Sequence, residues 1–289
     1  MELHALHVER EPILEDARLL LGFSGWMDGG DASTGTVQYL VRRLKAVRFA
    51  DIDPADFYIY NVPGSMETAA QFRPHTRIAN GLVKEYEEPE NAFYFDHASG
   101  LILFEGKEPN LRWDEFAQCI FEVVERFGVK MICFVGSVAA IVPHTRETRF
   151  HGSVSNKHLR TLLTNHDVLF SDYEGPASFV TYLTQLAHER GVPFISLVAQ
   201  IPAYVQGRNV SCIRAATEKA AALLGLDVDL SDLAFMSDEF TRKLNASMGG
   251  HPEFAELLKH MEEEFDHENL ETHEEDLRAW FEKQGIELN

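Results

Sequence analysis

Residues 19–30 read Leu-Leu-Leu-Gly-Phe-Ser-Gly-Trp-Met-Asp-Gly-Gly, an apolar run that breaks into a glycine-rich turn. Leu19–Phe23 has the length and unbroken apolarity of a buried strand. Asp31 or Ser33 can cap the helix that follows, in which Val37, Leu40, Val41 and Leu44 recur at helical spacing up to Lys45. Strand, tight turn and helix in that order form the first unit of an α/β fold.

The unit repeats downstream. Phe57–Tyr60 and Leu101–Phe104 read as strands, and Trp113–Phe127 as a helix with Phe116, Ile120, Val123 and Val124 on one face and Gly128 as its stop. Met131–Val135 has the character of a central parallel strand. Val168–Phe170 and Phe194–Val198 follow as strands, alternating with helices over Ala177–Arg190 and Ser211–Leu224. The pattern predicts a largely parallel sheet sandwiched by helices. After Leu230 it changes: no β-type run remains, and Phe254, Leu257, Leu258, Met261 and Phe265 mark an amphipathic helix. The division expected is an α/β body over 1–230 and an acidic helical extension over 231–289.

Of the 289 residues 45% are hydrophobic and 25% charged, and mean hydropathy is −0.19, as in ordinary soluble domains. Lys and Arg number 26 against 46 Asp and Glu, a net charge of −20. Polyanions are repelled by such a chain, so neither nucleic acid nor a membrane surface is expected as a partner. Residues 251–289 hold 13 of the acids against Lys259, Arg278 and Lys283. Met1–Arg10 carries Glu2, His4, His7 and Glu9 where a signal peptide needs an apolar core, and no apolar run approaches a membrane span. Cys119, Cys133 and Cys212 form no C-x-x-C pair and sit in apolar stretches. The location expected is cytoplasmic.

Three places carry chemistry. The turn at Trp26, Asp28 and Gly29 reads either as an anion-binding turn or as a tight connection whose glycines supply positive φ, since it matches neither G-x-G-x-x-G nor a P-loop. Gly136-Ser137 reads as a turn after the Met131–Val135 strand and leads to Pro143-His144-Thr145-Arg146, beyond a strand's carboxyl end, where open α/β sheets bind ligands. His144 and Arg146 there suit anions or proton transfer, or equally an ordered loop at a subunit contact in which Arg146 pairs with Asp28 or Glu174. Glu174, in Tyr173-Glu174-Gly175-Pro176, is a general base or part of a turn that opens a helix. No nucleophile elbow and no H-E-x-x-H occurs, and neither a metal nor a cofactor is expected.

At these three places the chain resembles the family named for the second proteasome assembly chaperone. Gly25-Trp26-Met27-Asp28-Gly29-Gly30, Gly136 followed by Pro143-His144-Thr145-Arg146, and Tyr173-Glu174-Gly175-Pro176 match its motifs in order over approximately Leu19–Leu226, most closely those of its bacterial branch. The resemblance implies a phosphorylase/hydrolase-like three-layer α/β/α sandwich and a homo-oligomer, a trimer in the bacterial branch. It brings no catalytic residues. Two functions stand open. One is a non-enzymatic, self-assembling interaction protein, whose C-terminal helices meet another protein and whose Phe72, Phe93, Tyr94 and Phe95 supply surface for self-association. The other is a small-molecule enzyme or ligand-binding protein of nucleoside phosphorylase/hydrolase type, in which His144, Arg146 and Glu174 converge.

Overall fold

The computed structural model, which describes residues 5–70, 72–249 and 252–283, follows the predicted alternation and adds strands to it. The strands are β1 (Leu6–Val8), β2 (Arg18–Ser24), β3 (Val47–Ile52), β4 (His75–Ala79), β5 (Leu82–Glu87), β6 (Ala92–Asp96), β7 (Leu101–Lys107), β8 (Met131–Ala140), β9 (Phe150–Val154), β10 (Leu169–Phe170) and β11 (Phe194–Pro202). The helices are α1 (Ala32–Leu44), α2 (Met66–Ala70), α3 (Trp113–Arg126), α4 (Arg160–Thr164), α5 (Phe179–Arg190), α6 (Val210–Leu224), α7 (Ser231–Met248) and α8 (Pro252–Lys283).

Nine strands form one sheet in the order β1-β3-β6-β7-β2-β8-β11-β9-β10, and β4 and β5 make a separate hairpin. Its centre, β7-β2-β8-β11, is parallel throughout. Antiparallel strands flank it, with β6, β3 and β1 on one side and β9 on the other. Successive side chains of a strand face opposite ways, so both faces of the centre need cover. Leu19, Leu21 and Phe23 join Phe104, Phe134 and the α3 and α5 residues Phe116, Ile120, Phe179 and Leu183. Leu20 joins Leu103, Cys133, Val135 and the α1 and α6 residues Val37, Leu40, Ile213 and Ala216. This is the expected three-layer α/β/α sandwich. The ring of Phe23 lies 5.2 Å from that of Phe104 and 5.6 Å from that of Phe179, tying β2 to β7 and α5.

Two local expectations are corrected. Phe57–Tyr60 is not a strand; it crosses the end of the sheet in a turn. Its apolarity serves packing, for the Phe57 ring meets that of Phe116 edge-on at 5.0 Å, and the Tyr58 hydroxyl donates to Asn91 or to the Lys107 carbonyl, with oxygens at 2.6 and 2.8 Å. Gly136 is no turn either. It lies inside β8, where a Cβ would stand 2.5 Å from the Phe134 ring and 3.0 Å from the Met27 carbonyl oxygen, so glycine here marks close packing rather than a reversal.

The surface expected of Phe93 is also corrected: it is fully buried in β6, with Phe95 packed beside the same core. A cluster of exposed apolar side chains lies instead on the hairpin, at Ile78, Leu82, Val83 and Tyr86, with others scattered elsewhere, Met66, Ile141 and Phe235 among them. After β11 only helices follow among the described residues. Leu233 of α7 is buried against the α1–α6 side of the sandwich, and Tyr39 donates from α1 to Asp232 at 2.6 Å.

Candidate functional site

The turn after β2 is built around Asp28. Gly25 (φ +132°) and Gly30 (φ +63°) take backbone conformations that other residues avoid. Met27 accepts a hydrogen bond from the Ser137 amide (2.9 Å), and the Ser137 hydroxyl donates to the Gly29 carbonyl (2.7 Å), stitching the turn to β8. A Cβ on Gly29 would meet Ile201 of β11 at 2.7 Å. The caps expected at Asp31 or Ser33 are supplied from further upstream. Asp28 Oδ1 accepts from the amides of Ser33 (2.8 Å) and Thr34 (3.1 Å), and Oδ2 accepts from the Thr34 hydroxyl (2.8 Å). The first-turn amides that an anion would use are thus held by a carboxylate of the chain itself. Burial pushes the Asp28 carboxyl up to about 6, more than the three donors pull it down.

Trp26 is exposed, with its amide donating to Glu108 Oε2 (3.1 Å), while Oε1 of the same carboxylate accepts from the first amide of α5, that of Phe179 (2.8 Å). Glu108 is therefore the strut between the turn and α5, and it stands in no recognisable motif. Asn209 is a second residue that sequence reading passes over. It is 2% exposed, donates its amide to the Gly30 carbonyl (2.8 Å) and caps α6 through Cys212 (3.1 Å).

Beyond β8, the Pro143–Arg146 segment packs under the C-terminal helices. The Tyr204 hydroxyl lies 2.8 Å from the His144 amide and 2.7 Å from Nδ1, and His144 Nε2 lies 2.8 Å from Asn245 Oδ1 on α7. Asn245 Oδ1 can only accept, so Nε2 donates to it, while Nδ1 pairs with the Tyr204 hydroxyl. Both ring nitrogens are engaged. Thr145 donates to Glu262. Arg146 grips Asp266 in a two-point contact, Nε to Oδ1 at 2.9 Å and Nη2 to Oδ2 at 2.8 Å, and reaches Glu262 at 3.2 Å. Arg149 donates to Glu268 (2.7 Å) and to the Phe265 carbonyl (3.2 Å), with its guanidinium 4.1 Å above the Phe265 ring.

The expected partners of Arg146, Asp28 and Glu174, are thus corrected: its carboxylates come from α8. Asp28 is turned to the start of α1, and Glu174 is exposed in the connection from β10 to α5. A cavity of about 40 Å³ lies between this loop, β11 and α6–α8, lined by His144, Arg146, Arg149, Gln200, Asn209 and Phe265 among others. His144 and Arg146 are brought together there; Trp26, Asp28, Gly29 and Glu174 do not line it. That volume holds a few waters, whereas drug-sized ligands need about 300 Å³ or more. Burial pushes the Cys212 thiol on its wall up to about 12, far from a reactive thiolate. Among the described residues no group of three or more His, Cys, Asp or Glu is placed to hold a metal, and no helix is long and apolar enough to cross a membrane.

No curated protein matches the sequence significantly. Solved structures resemble it over most of its length. A protein of unknown function from Mycobacterium tuberculosis shares 22% identity with a TM-score of 0.80, covering 91% of each chain. A PAC2 family protein from Streptomyces avermitilis shares 26% with a TM-score of 0.70, over 84% of this chain and 99% of its own. A proteasome-assembly chaperone homologue from M. tuberculosis shares 24% with a TM-score of 0.72, over 83% and 99%. The family profile runs over residues 22–248, from β2 through the turn, the loop and α7, and on that match the chain belongs to the PAC2 family.

Proposed function

We propose that this chain is a non-enzymatic, self-assembling protein that acts as proteasome assembly chaperones do, through contacts with other proteins, and that it works in the cytoplasm as a homo-oligomer, a trimer. Family membership and the likeness to a proteasome-assembly chaperone homologue support the chaperone-like role. One observation carries the preference over an enzyme: the groups that would do chemistry are already engaged by the chain itself. His144 has both ring nitrogens bonded, Arg146 holds two carboxylates, and Glu174 lies outside the cavity that those two share. Catalysis needs an acid, a base and an anchor that converge on one reacting position, with room for it.

Self-association has surface available to it. The β4–β5 hairpin places Thr76, Ile78, Val83 and Tyr86 on one face by its pairing and His75, Arg77, Glu85 and Glu87 on the other. Ile78, Val83 and Tyr86 are about 60% exposed, and a lone two-stranded hairpin is marginal in water without cover. Light scattering at micromolar concentration should give the trimer mass; a monomer mass would sink the proposal.

A ligand-binding reading of phosphorylase/hydrolase type draws on one observation. The cavity lies at the carboxyl end of two parallel strands, and the buried Gln200 Oε1 on its wall meets no protein donor. Calorimetric titration with nucleosides and with phosphate tests it, and heat absorbed or released only in buffer controls would retire it.

A further inference from the structure

The first half of α8 lies across the loop after β8, which carries His144, Arg146 and Arg149. Its contacts come in two kinds. Met261 and Phe265 are 4% and 7% exposed, the ring of Phe265 lying beneath the Arg149 guanidinium. Around them Glu262, Asp266 and Glu268 meet Thr145, Arg146 and Arg149. Glu262 and Asp266 stand four residues apart, on one helix face, and Met261 and Phe265 repeat that spacing one position earlier. The loop surface is thus shaped for an acidic amphipathic helix: an apolar seat with guanidinium groups beside it.

The charged rim of the attachment is open to solvent. The Arg146 and Asp266 side chains keep 35% and 49% of their surface exposed, so their pair is weak and screened by salt. Beneath the helix lies the small cavity walled by His144, Arg146, Arg149 and Phe265. While docked, the helix covers the loop.

We propose that the Thr145–Arg149 surface is a docking site for an acidic amphipathic helix of a partner protein, and that α8 occupies it as a tethered competitor. The proposal rests on the interaction reading above and names the surface and partner chemistry that reading leaves open. An occupant on the same chain competes at an effective concentration of about millimolar, so a partner gains access when its own helix is presented at high local concentration or when α8 is drawn off.

The probe is a fluorescein-labelled peptide of residues 252–283, titrated by anisotropy against the full-length protein. The wild type should bind it weakly. Glu262→Lys with Asp266→Lys places cations opposite Arg146, releases α8 and should tighten peptide binding by at least about tenfold. Adding Arg146→Ala to that variant, which removes the cation without offering the new lysines a partner, should abolish the gain, as should raising salt from about 0.05 to about 0.5 M. Equal affinity for wild type and the released variant, or binding indifferent to Arg146→Ala, would overturn the proposal. Concentration-dependent dimers of the released variant, lost with Arg146→Ala, would overturn the assignment to a partner protein in favour of a second copy. If the released variant does not fold, hydrogen exchange on the wild type decides: α8 amides should exchange faster at high salt while those of α3 do not, and salt-independent exchange defeats the proposal. None of these outcomes touches the mass measured for the wild-type assembly, so the two readings fail separately.

Discussion

Arg146 and Asp266 meet side by side, Nε on Oδ1 at 2.9 Å and Nη2 on Oδ2 at 2.8 Å, across 120 residues of chain. The pair joins the loop after β8 to the middle of α8, so the Pro143–Arg146 segment and the acidic C-terminal helix meet at this contact. Arg146 holds the Asp266 carboxyl below the usual carboxylate range. The two side chains remain 35% and 49% exposed, so the heavy cost of breaking a buried charge pair does not apply.

Arg146→Ala should therefore leave the thermal melt nearly unchanged and loosen α8 selectively. Hydrogen exchange followed by mass spectrometry should show α8 amides exchanging several-fold faster, with the sheet strands unaffected. A large fall in melting temperature would show instead that the pair supports the whole fold.

Asp28 carries a pH dependence of definite sign. Its carboxyl titrates at about 6 in the folded protein against 3.8 as the ordinary value. Between those values the folded state binds the proton and the unfolded state has lost it. The contribution of Asp28 to stability is then full below about pH 4 and declines as pH rises towards 6. A shift of this size corresponds to roughly 3 kcal/mol. Asp28→Asn keeps an acceptor for the amides of Ser33 and Thr34 without the buried charge. Urea denaturation should find the variant gaining on the wild type from pH 4 to pH 7, and a difference that stays flat with pH would show that Asp28 is not desolvated.

Legibility in the sequence follows the burial of each element. β2, β7, β8 and β11 are covered on both faces, and such strands write continuous apolar runs that need no partner to be read. β3 (Val-Arg-Phe-Ala-Asp-Ile) and β9 (Phe-His-Gly-Ser-Val) lie beyond that centre, carry polar residues, and owe their strand conformation to pairing with β6 and β11. Phe57–Tyr60 shows the converse, an apolar run that packs without pairing. In the candidate site, the loop's place beyond β8 was legible because it depends only on the strand before it. Its partners were not, since Tyr204, Asn245, Glu262 and Asp266 approach from three separate parts of the chain, the turn after β11, α7 and α8. The i,i+4 acids Glu262 and Asp266, beside Met261 and Phe265, are the one local sign that α8 seeks a basic surface.

The division at residue 230 is tested by two truncations. Ending the chain at Met248 removes α8 and uncovers the loop, with loss of the Met261 and Phe265 contacts, yet every strand and both helical layers of the sandwich remain. Ending it at Leu230 also removes α7. That takes away Leu233, which is 2% exposed, the Tyr39–Asp232 hydrogen bond, and the α7 residues Phe240 and Leu244 that wall the cavity. A buried leucine contributes about 1.5–3 kcal/mol relative to an exposed one, so the shorter chain should be the less stable by at least that amount. The longer chain keeps both clusters about β2 and β8 whole, and the shorter one gives up only Leu233 from the α1–α6 cluster, so both chains should unfold in a single cooperative urea transition. The decisive case is the chain ending at Leu230: insolubility, or a broad transition with a reduced denaturant slope, would make α7 part of the body and move the boundary to the end of that helix.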